Sequence, residues 1–328
     1  MPDLTYSSVI PPISAQDGSN HFEVNPVEGT SHKFGYDSNG FPKFFVRTDT
    51  SSQDMPNIIR ELLSVEFDVF CKYIDEEGNS SNGHFSIITL RDKDDYLCKY
   101  FVDIFTLILS KLSPKPAKLA LSIEIERVIS IFSALQEPPK KTLQGLWAEL
   151  LVIESSHNPD TMVEAWHSDT FSKYDFSLGT DKLEVKSASG EERVHSFSLD
   201  QLNPSPNSRL LIASVFVRES GASSTGLSVK DLYDRICRRI DSVEKRIRLY
   251  EIIAKTLGNS LSKCGQNHFD YTSATDSLRF YNHKDIPAID RANVPDNVTC
   301  VKFMSNLSYI NAVAKDNQIM QLGLYQCL

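Results

Sequence analysis

The sequence lacks several features that would identify whole classes of protein. Its most apolar stretch, YFVDIFTLILSKL, contains Asp103 and is too short to cross a bilayer. The first residues, MPDLTYSSVIPP, lack the basic and apolar regions of a secretory signal. The six cysteines include no Cys-x-x-Cys pair, so neither a zinc ribbon nor a thioredoxin-like site is indicated. We therefore predict a cytoplasmic protein with reduced thiols and no membrane partner.

Basic residues are too few for a protein that coats nucleic acid. The chain of 328 residues has 34 Lys and Arg against 43 Asp and Glu, a net charge of −9. Non-specific phosphate binding needs clustered positive charge. The stretch from Lys230 to Lys255 is locally basic, with eight basic and five acidic residues. It is either a basic rim for DNA or two solvated helices with i,i+4 ion pairs, and the sequence favours the helices.

The first 137 residues divide into two parts. Residues 1–28 are rich in Ser, Pro, Asn and Asp, which predicts a segment that is loosely ordered or lies along another element. A β-rich module with linking helices is predicted over 29–137, with a hairpin that turns at Asn39-Gly40. Asp95 is expected to cap its first helix, and a second helix is expected over 117–135. The module contains no acid–base cluster, so we interpret it as a lobe for docking or DNA contact.

Residues 138–328 alternate between helix and strand patterns, which favours an α/β domain. The first predicted helix covers 141–154. The stretch RLLIASVFVRES is almost wholly apolar, which is typical of a strand buried on both faces of a sheet. Helices are predicted over 227–240 and 242–258, and strands in SLRFYNHKD and NVTCVKFMSNLSYI. We therefore predict an α/β fold with a mixed sheet.

Three carboxylates and one ammonium group on neighbouring elements can converge on one point: Glu149, Asp175, Glu184 and Lys186. Glu184 and Lys186 point to the same side of their predicted strand because side chains alternate along it. A hairpin that turns at residues 179–181 can bring Asp175 close to Glu184. Carboxylates this close repel unless a cation lies between them, and Mg2+ prefers oxygen ligands. The pattern suits a divalent metal and an activated water.

An ordinary structural role is the alternative for each of these residues. A Glu-x-Lys triplet on a strand is usually a solvated face with a weak ion pair. Under this alternative Glu149 is an exposed helix glutamate, although its neighbours Gly145 and Ala148 favour a buried position. The residues taken alone leave both interpretations open.

The order of the motifs resembles that of the PD-(D/E)XK nuclease superfamily. Glu184-x-Lys186 follows nine residues after Asp175, and Glu149 precedes them in GLWAEL. A tryptophan in VEAWHS, then YDFSL, LEVKSAS, VHSFSLDQL and RLLIASVFV follow in order. The set is similar to a bacterial PD-(D/E)XK family formerly listed as DUF4420, which is associated with restriction and phage-defence gene neighbourhoods. One departure is Ile286-Pro287-Ala288, where that family usually has a Phe-Pro-Arg-like triplet.

The resemblance implies a restriction-endonuclease-like core over 138–328, with a mixed sheet flanked by helices and a smaller β-rich N-terminal lobe before it. It also implies a Mg2+-dependent endodeoxyribonuclease of a restriction or phage-defence system, in which Mn2+ can substitute. The implied partners are DNA, other subunits such as an ATPase or helicase, and a second copy in a homodimer. The alternative is a catalytically inactive nuclease-fold protein that acts as a DNA-recognition or scaffold subunit.

The resemblance also assigns roles to individual residues. The expected metal ligands are Asp175, Glu184, the backbone carbonyl of Val185 and, through a water, Glu149. Lys186 is expected to orient the attacking water. In related nucleases a polar residue on the helix after the active strand faces the site, and Gln201 is that residue here. His195 is expected to lie further from the metal.

Overall fold

A computed structural model describes residues 21–27, 30–49, 54–74, 80–167, 172–220 and 226–328. The chain divides into two compact units, Met1–Ala134 and Leu135–Leu328. Within the described residues the first unit carries a six-stranded sheet and the second a mixed four-stranded sheet, so the predicted α/β fold class is confirmed. None of the helices in these ranges has the length and hydrophobicity that a bilayer span needs.

The sheet of the first unit has the strand order β1-β2-β3-β6-β5-β4. Its strands are β1 (His21–Pro26), β2 (Lys33–Tyr36), β3 (Pro42–Val46), β4 (Ile58–Ile59), β5 (Leu63–Ile74) and β6 (Ser80–Leu90). The predicted hairpin joins β2 to β3, and Gly40 in its turn has a φ of 81°, which glycine adopts without strain. Strand β1 lies within the segment 1–28 and pairs with both β2 and β5, so residues 21–26 lie along other strands of this sheet. Residues 1–20 and 28 lie outside the described residues.

Two helices complete the first unit, α1 (Asp95–Lys111) and α2 (Lys118–Ala134). Asp94 rather than Asp95 caps α1, because its side chain accepts hydrogen bonds from the N–H groups of Tyr96 and Leu97. Asp95 instead lies in the first turn, where a negative charge is favourable. The sequence does not distinguish these adjacent aspartates, since either carboxylate suits a helix N-cap.

The second unit is organised around the sheet β13-β10-β8-β7. Its elements are α3 (Leu143–Ser155), α4 (Pro159–Ala165), β7 (Phe176–Leu178), β8 (Asp181–Ala188), β9 (Val194–Ser198), α5 (Leu199–Leu202), β10 (Arg209–Phe216), β11 (Gly226–Leu227), α6 (Val229–Arg239), α7 (Val243–Leu257), β12 (Phe269–Asp270), α8 (Tyr271–Ser277), β13 (Arg279–Asn282) and β14 (Lys302–Asn306). Strands β8 and β10 are parallel, whereas β7 and β13 pair antiparallel with them. The predicted apolar strand is β10, in which every residue from Leu210 to Val215 is buried.

Local signals explain the elements that carry the candidate site. Thr142 caps α3, since its side chain accepts a hydrogen bond from the N–H of Gly145. Strands β7 and β8 form a hairpin in which Leu178 pairs with Asp181, so only two residues make the turn. One of these is Gly179, whose φ of 55° suits glycine. The one-turn helix α5 follows β9 directly.

The basic stretch from Lys230 to Lys255 forms helices α6 and α7. Its side chains bind acidic groups and backbone carbonyls of the same unit: Lys230 to Asp234, Lys255 to Glu251, Lys245 to Asp160 and Glu164, and Arg248 to the carbonyls of Val163 and Trp166. Two of these pairs have the i,i+4 spacing of neighbours on a helix surface. The contacts support the interpretation as ion-paired helices over that of a basic rim.

The predicted domain boundary near residue 137 stays a prediction that limited proteolysis can test. Residues 136–140, which join α2 to α3, are all exposed. We expect brief trypsin digestion to cut after Lys140 or Lys141 and leave a stable C-terminal fragment that begins at residue 141 or 142, because a protease needs accessible backbone. A recombinant chain of residues 135–328 should then unfold in one cooperative transition. A stable fragment that begins well inside 145–202 would contradict this division.

Candidate active site

The structure gathers the side chains that the sequence singled out beside strands β7 and β8. Glu149 comes from α3, Asp175 precedes β7, and Glu184 and Lys186 lie on β8. Gln201 on α5 reaches the same cluster through a hydrogen bond to Glu184. The cluster therefore consists of two groups of side chains. One contains Glu149 and Asp175, and the other contains Glu184, Lys186 and Gln201.

Glu149 is buried on α3, with a side chain that is 5% exposed, so it is not an ordinary surface glutamate. Both of its carboxylate oxygens have partners. The indole Nε1 of Trp166 donates to Oε2 at 2.8 Å, and the Lys141 ammonium donates to Oε1 at 2.6 Å. Burial, and then the charge of Asp175, raise the pKa of Glu149 to about 8.

The Asp175 side chain, just before β7 begins, accepts a hydrogen bond from the backbone of β8. Its Oδ2 accepts a hydrogen bond from the backbone N–H of Val185 at 2.8 Å. The last pair of the hairpin is Phe176 with Leu183, so this carboxylate occupies the next position along the edge of β8. Since the N–H and C=O of one strand residue point to the same side, the Val185 carbonyl also faces the edge where Asp175 lies. A backbone carbonyl that binds the same metal ion as Asp175 would have to face this edge.

Glu184, Lys186 and Gln201 form a compact polar triad. The Lys186 ammonium lies 2.7 Å from Glu184 Oε1, and the Gln201 amide donates to the same oxygen at 2.6 Å. Gln201 Oε1 accepts from Lys186 at 3.2 Å and from the backbone N–H of Ser198 at 3.1 Å. That last bond belongs to a capping box, so the start of α5 fixes the amide. Burial, and then the charge of Asp175, raise the pKa of Glu184 to about 7.

His195 contacts a different group of residues. Its Nε2 lies 2.7 Å from the hydroxyl of Ser214, and Arg193 donates to the same hydroxyl at 2.9 Å. The side chain is buried. Burial, and then the charges of Lys186 and Arg193, lower the pKa of His195 to about 4. Gln201 thus contacts the carboxylate cluster directly, whereas the His195 ring contacts Ser214.

The lowered pKa of His195 predicts an acid-sensitive stability. Folding favours the neutral ring, so this contribution is complete above pH 6.5, the ordinary pKa, and is lost as the pH falls to about 4. One pKa unit corresponds to about 1.4 kcal/mol, so the full loss is about 3 kcal/mol. We expect His195→Gln to flatten the fall in unfolding free energy across this window, measured by urea titration.

The exposed His157 offers a matched control for that measurement. His157→Gln makes the same substitution at an exposed position and supplies the reference profile for His195→Gln. A His195→Gln profile that runs parallel to that of wild type would contradict the assignment.

Sequence reasoning missed Lys141. Its Nζ lies 2.6 Å from Glu149 Oε1 and 2.5 Å from Asp175 Oδ1, so one ammonium group joins the two carboxylates. Burial alone would lower the pKa of Lys141, but the charges of Glu149 and Asp175 raise it above its ordinary value. The available signal was a lysine eight residues before Glu149, just ahead of the helix. Lys140 beside it carries the same signal, which is why the sequence could not select one.

Tyr174 was also missed, although it directly precedes Asp175. It packs in a buried cluster with Phe197 and Ile286, and the latter belongs to the triplet that departs from the resembled family. Within the described residues, its buried hydroxyl has no hydrogen-bond partner. Burial, and then the charge of Glu184, raise its pKa above the ordinary value. The Tyr174 hydroxyl is therefore a polar group near the carboxylates that donates no hydrogen bond to the described part of the chain.

The donor chemistry of the cluster fits a divalent cation. Mg2+ takes carboxylate and carbonyl oxygens and keeps several waters, so two or three protein ligands suffice. Glu149 and Asp175 already share one cationic group, the Lys141 ammonium. In the described ranges, however, no three His, Cys, Asp or Glu side chains are arranged to hold a metal ion. Glu184, which is expected to be a direct ligand, contacts Lys186 and Gln201 through its Oε1.

Comparison with known proteins identifies a family. A family model described as "Putative PD-(D/E)XK family member, (DUF4420)" matches residues 14–308. No curated protein and no solved structure matches the chain significantly. The matched residues include the sheet of the first unit and the whole cluster from Lys141 to Gln201. Because the match spans most of the chain, this protein belongs to the DUF4420 family of PD-(D/E)XK proteins and has their nuclease-like fold.

Proposed function

We propose that this protein is a Mg2+-dependent DNA endonuclease that hydrolyses phosphodiester bonds, with Mn2+ as a substitute metal. The family supports a nuclease-like phosphodiesterase. The observation that carries the proposal is the buried cluster in which Glu149, Asp175, Glu184 and Lys186 meet. Three carboxylates are costly to bury together unless cations offset their charge. Such a cluster is what metal-assisted hydrolysis needs.

The residues of the chain have distinct roles in this proposal. Asp175, Glu184, the Val185 carbonyl and Glu149 would hold the cation. When bound, a divalent cation supplies charge for a phosphoryl oxygen and lowers the pKa of a water. Lys186 is held by Glu184 and Gln201, and its Nζ lies 5.2 Å from the centre of the Phe197 ring. A lysine held in this way can donate to an attacking water or to a phosphoryl oxygen.

Gln201 acts as a positioning residue in this scheme. Its amide donates to Glu184 and its carbonyl accepts from Lys186, so it sets the orientation of both side chains. The amide itself carries no titratable proton, so its donor and its acceptor do not change with pH.

A catalytically inactive recognition or scaffold protein is the second candidate. Two observations favour it: the described residues contain no three-ligand metal cluster, and a lysine binds two of the three carboxylates. A protein of this type would bind DNA without cutting it. The fold alone does not distinguish the two candidates.

The cellular setting that we propose is a bacterial restriction or phage-defence system. The support is the association of the resembled family with such gene neighbourhoods. In that setting the protein would be the cytoplasmic nuclease component. It would act with other subunits such as an ATPase or helicase, or as a homodimer.

A cleavage assay tests the proposed activity. Supercoiled plasmid and linear duplex DNA are incubated with the protein in Mg2+, Mn2+ or EDTA, alone and with the products of neighbouring genes. We expect nicked or linear products with either metal and none with EDTA. Single-stranded DNA and RNA in parallel reactions define the substrate class. DNA binding without cleavage under every condition would favour the scaffold instead.

A further inference from the structure

The Lys141 ammonium lies at the point where Glu149 and Asp175 face each other. Its Nζ is within 2.6 Å of one oxygen of each carboxylate. The second oxygen of each is bound elsewhere, to the Trp166 indole and to the Val185 N–H. The two oxygens that Lys141 contacts are therefore the ones that the fold leaves for a cation.

Lys141 is attached to the cluster less firmly than the carboxylates are. It precedes the N-cap Thr142, outside helix α3, and its side chain is 34% exposed, against 5% for Glu149 and 10% for Asp175. A lysine side chain has four flexible carbons, so its ammonium can move to water without moving the backbone. The carboxylates lack that freedom because a helix and a strand edge hold them.

We propose that the Lys141 ammonium and a divalent cation compete for Glu149 Oε1 and Asp175 Oδ1. This inference rests on the proposed function and names the residue that sets the metal affinity of its site. Lys141 stabilises the paired carboxylates until the cation replaces it, and it then turns to solvent. With the three carboxylates and both lysines of the cluster ionised, the displacement of Lys141 leaves a net charge of −2 for a doubly charged ion.

Removal of the Lys141 charge should therefore tighten metal binding. In the wild-type protein the cation must break two charge-assisted contacts, whereas in Lys141→Met it meets free carboxylates. We expect the Kd for Mn2+, measured by calorimetry without DNA, to fall about tenfold or more, where tenfold is about 1.4 kcal/mol. The Tm of Lys141→Met should be lower than that of wild type in EDTA and should rise further on adding Mn2+.

Lys140→Met is the matched control for this measurement. It removes the same charge from the neighbouring residue, whose side chain is exposed. Its Kd for Mn2+ and its Tm in EDTA should match those of wild type. Lys141→Arg, which keeps the charge, should also bind Mn2+ about as weakly as wild type does.

A second measurement uses the wild-type protein and so does not depend on the folding of a variant. Lysines are acetylated briefly in EDTA or in Mg2+, and each site is quantified by mass spectrometry. Acetylation at Lys141 should be several-fold greater in Mg2+, because the ammonium has left the carboxylates. Acetylation at Lys140 should be equal in both and provides the internal reference.

The outcomes separate this inference from the proposed function. If calorimetry shows that wild type binds Mn2+ and Mg2+, but Lys141→Met binds no more tightly or the acetylation of Lys141 does not change in Mg2+, the competition is wrong while the metal site stands. If neither wild type nor Lys141→Met binds Mn2+ or Mg2+, the metal-dependent nuclease fails together with the competition. Tighter binding by Lys141→Met with Lys140→Met unchanged is the expected result.

Discussion

Asp175→Asn is expected to abolish DNA cleavage while leaving the fold intact. The substitution removes the negative charge that the metal needs, which predicts a loss of about a thousandfold or more in rate. It retains an oxygen that can accept the hydrogen bond from the Val185 N–H. Cleavage rates and thermal melts of the same preparations measure the two effects separately.

Asp175→Ala should also abolish cleavage but at a cost in stability. The sequence alone predicts no such cost, because removing one of several neighbouring carboxylates relieves repulsion. The structure changes that expectation, since alanine leaves the buried Val185 N–H without its partner. An unsatisfied buried donor costs about 1–3 kcal/mol. Unchanged cleavage by Asp175→Asn would overturn the metal-site assignment and, with it, the proposed enzyme.

Lys186→Met is expected to slow cleavage by about a hundredfold or more without loss of metal binding. The ammonium of Lys186 contacts Glu184 and Gln201, so its removal takes away a donor to the reacting groups but no oxygen ligand. Single-turnover cleavage measures the rate, and calorimetry with Mn2+ measures the affinity. An equal loss of rate and affinity would show that Lys186 supports the metal site instead of the chemistry.

Lys182→Met on the same strand is the control for Lys186→Met. The Lys182 ammonium hydrogen-bonds to the backbone carbonyl of Gly179 in the hairpin turn. It carries the same charge as Lys186, four residues earlier. A normal cleavage rate in Lys182→Met shows that the effect at Lys186 does not come from the overall charge of β8.

The features that the sequence predicted correctly are those encoded by local patterns. The apolar run of β10, the hairpin turn at Gly179 and the helix α3 depend on neighbouring residues in the chain. Their arrangement then brings Glu149, Asp175 and Glu184 together, as the motif order indicated. The family match supports the predicted fold for most of the chain.

The features that the sequence did not predict depend on where long side chains end in space. The sequence gives no reason to prefer Lys141 over Lys140, and only the folded structure shows which ammonium reaches Glu149. Ser214 lies in the middle of an apolar strand, and no sequence spacing connects its hydroxyl with His195. The contacts of Lys245 and Arg248 with residues 160–166 likewise depend on the positions of carboxylates and carbonyls on another element.

The hairpin register explains why Glu184 lies nine positions after Asp175. Leu178 pairs with Asp181, and each further step along β7 matches one along β8, so continuing the register places Asp175 opposite Glu184. A single-residue insertion within either strand segment would shift this match and turn one acid away from the other, since side chains alternate. We therefore expect natural variation to replace most residues of the two segments without changing their number, whereas the turn between them can change in length. Among relatives, the lengths of the two segments should be a better marker of an intact site than the identity of their residues.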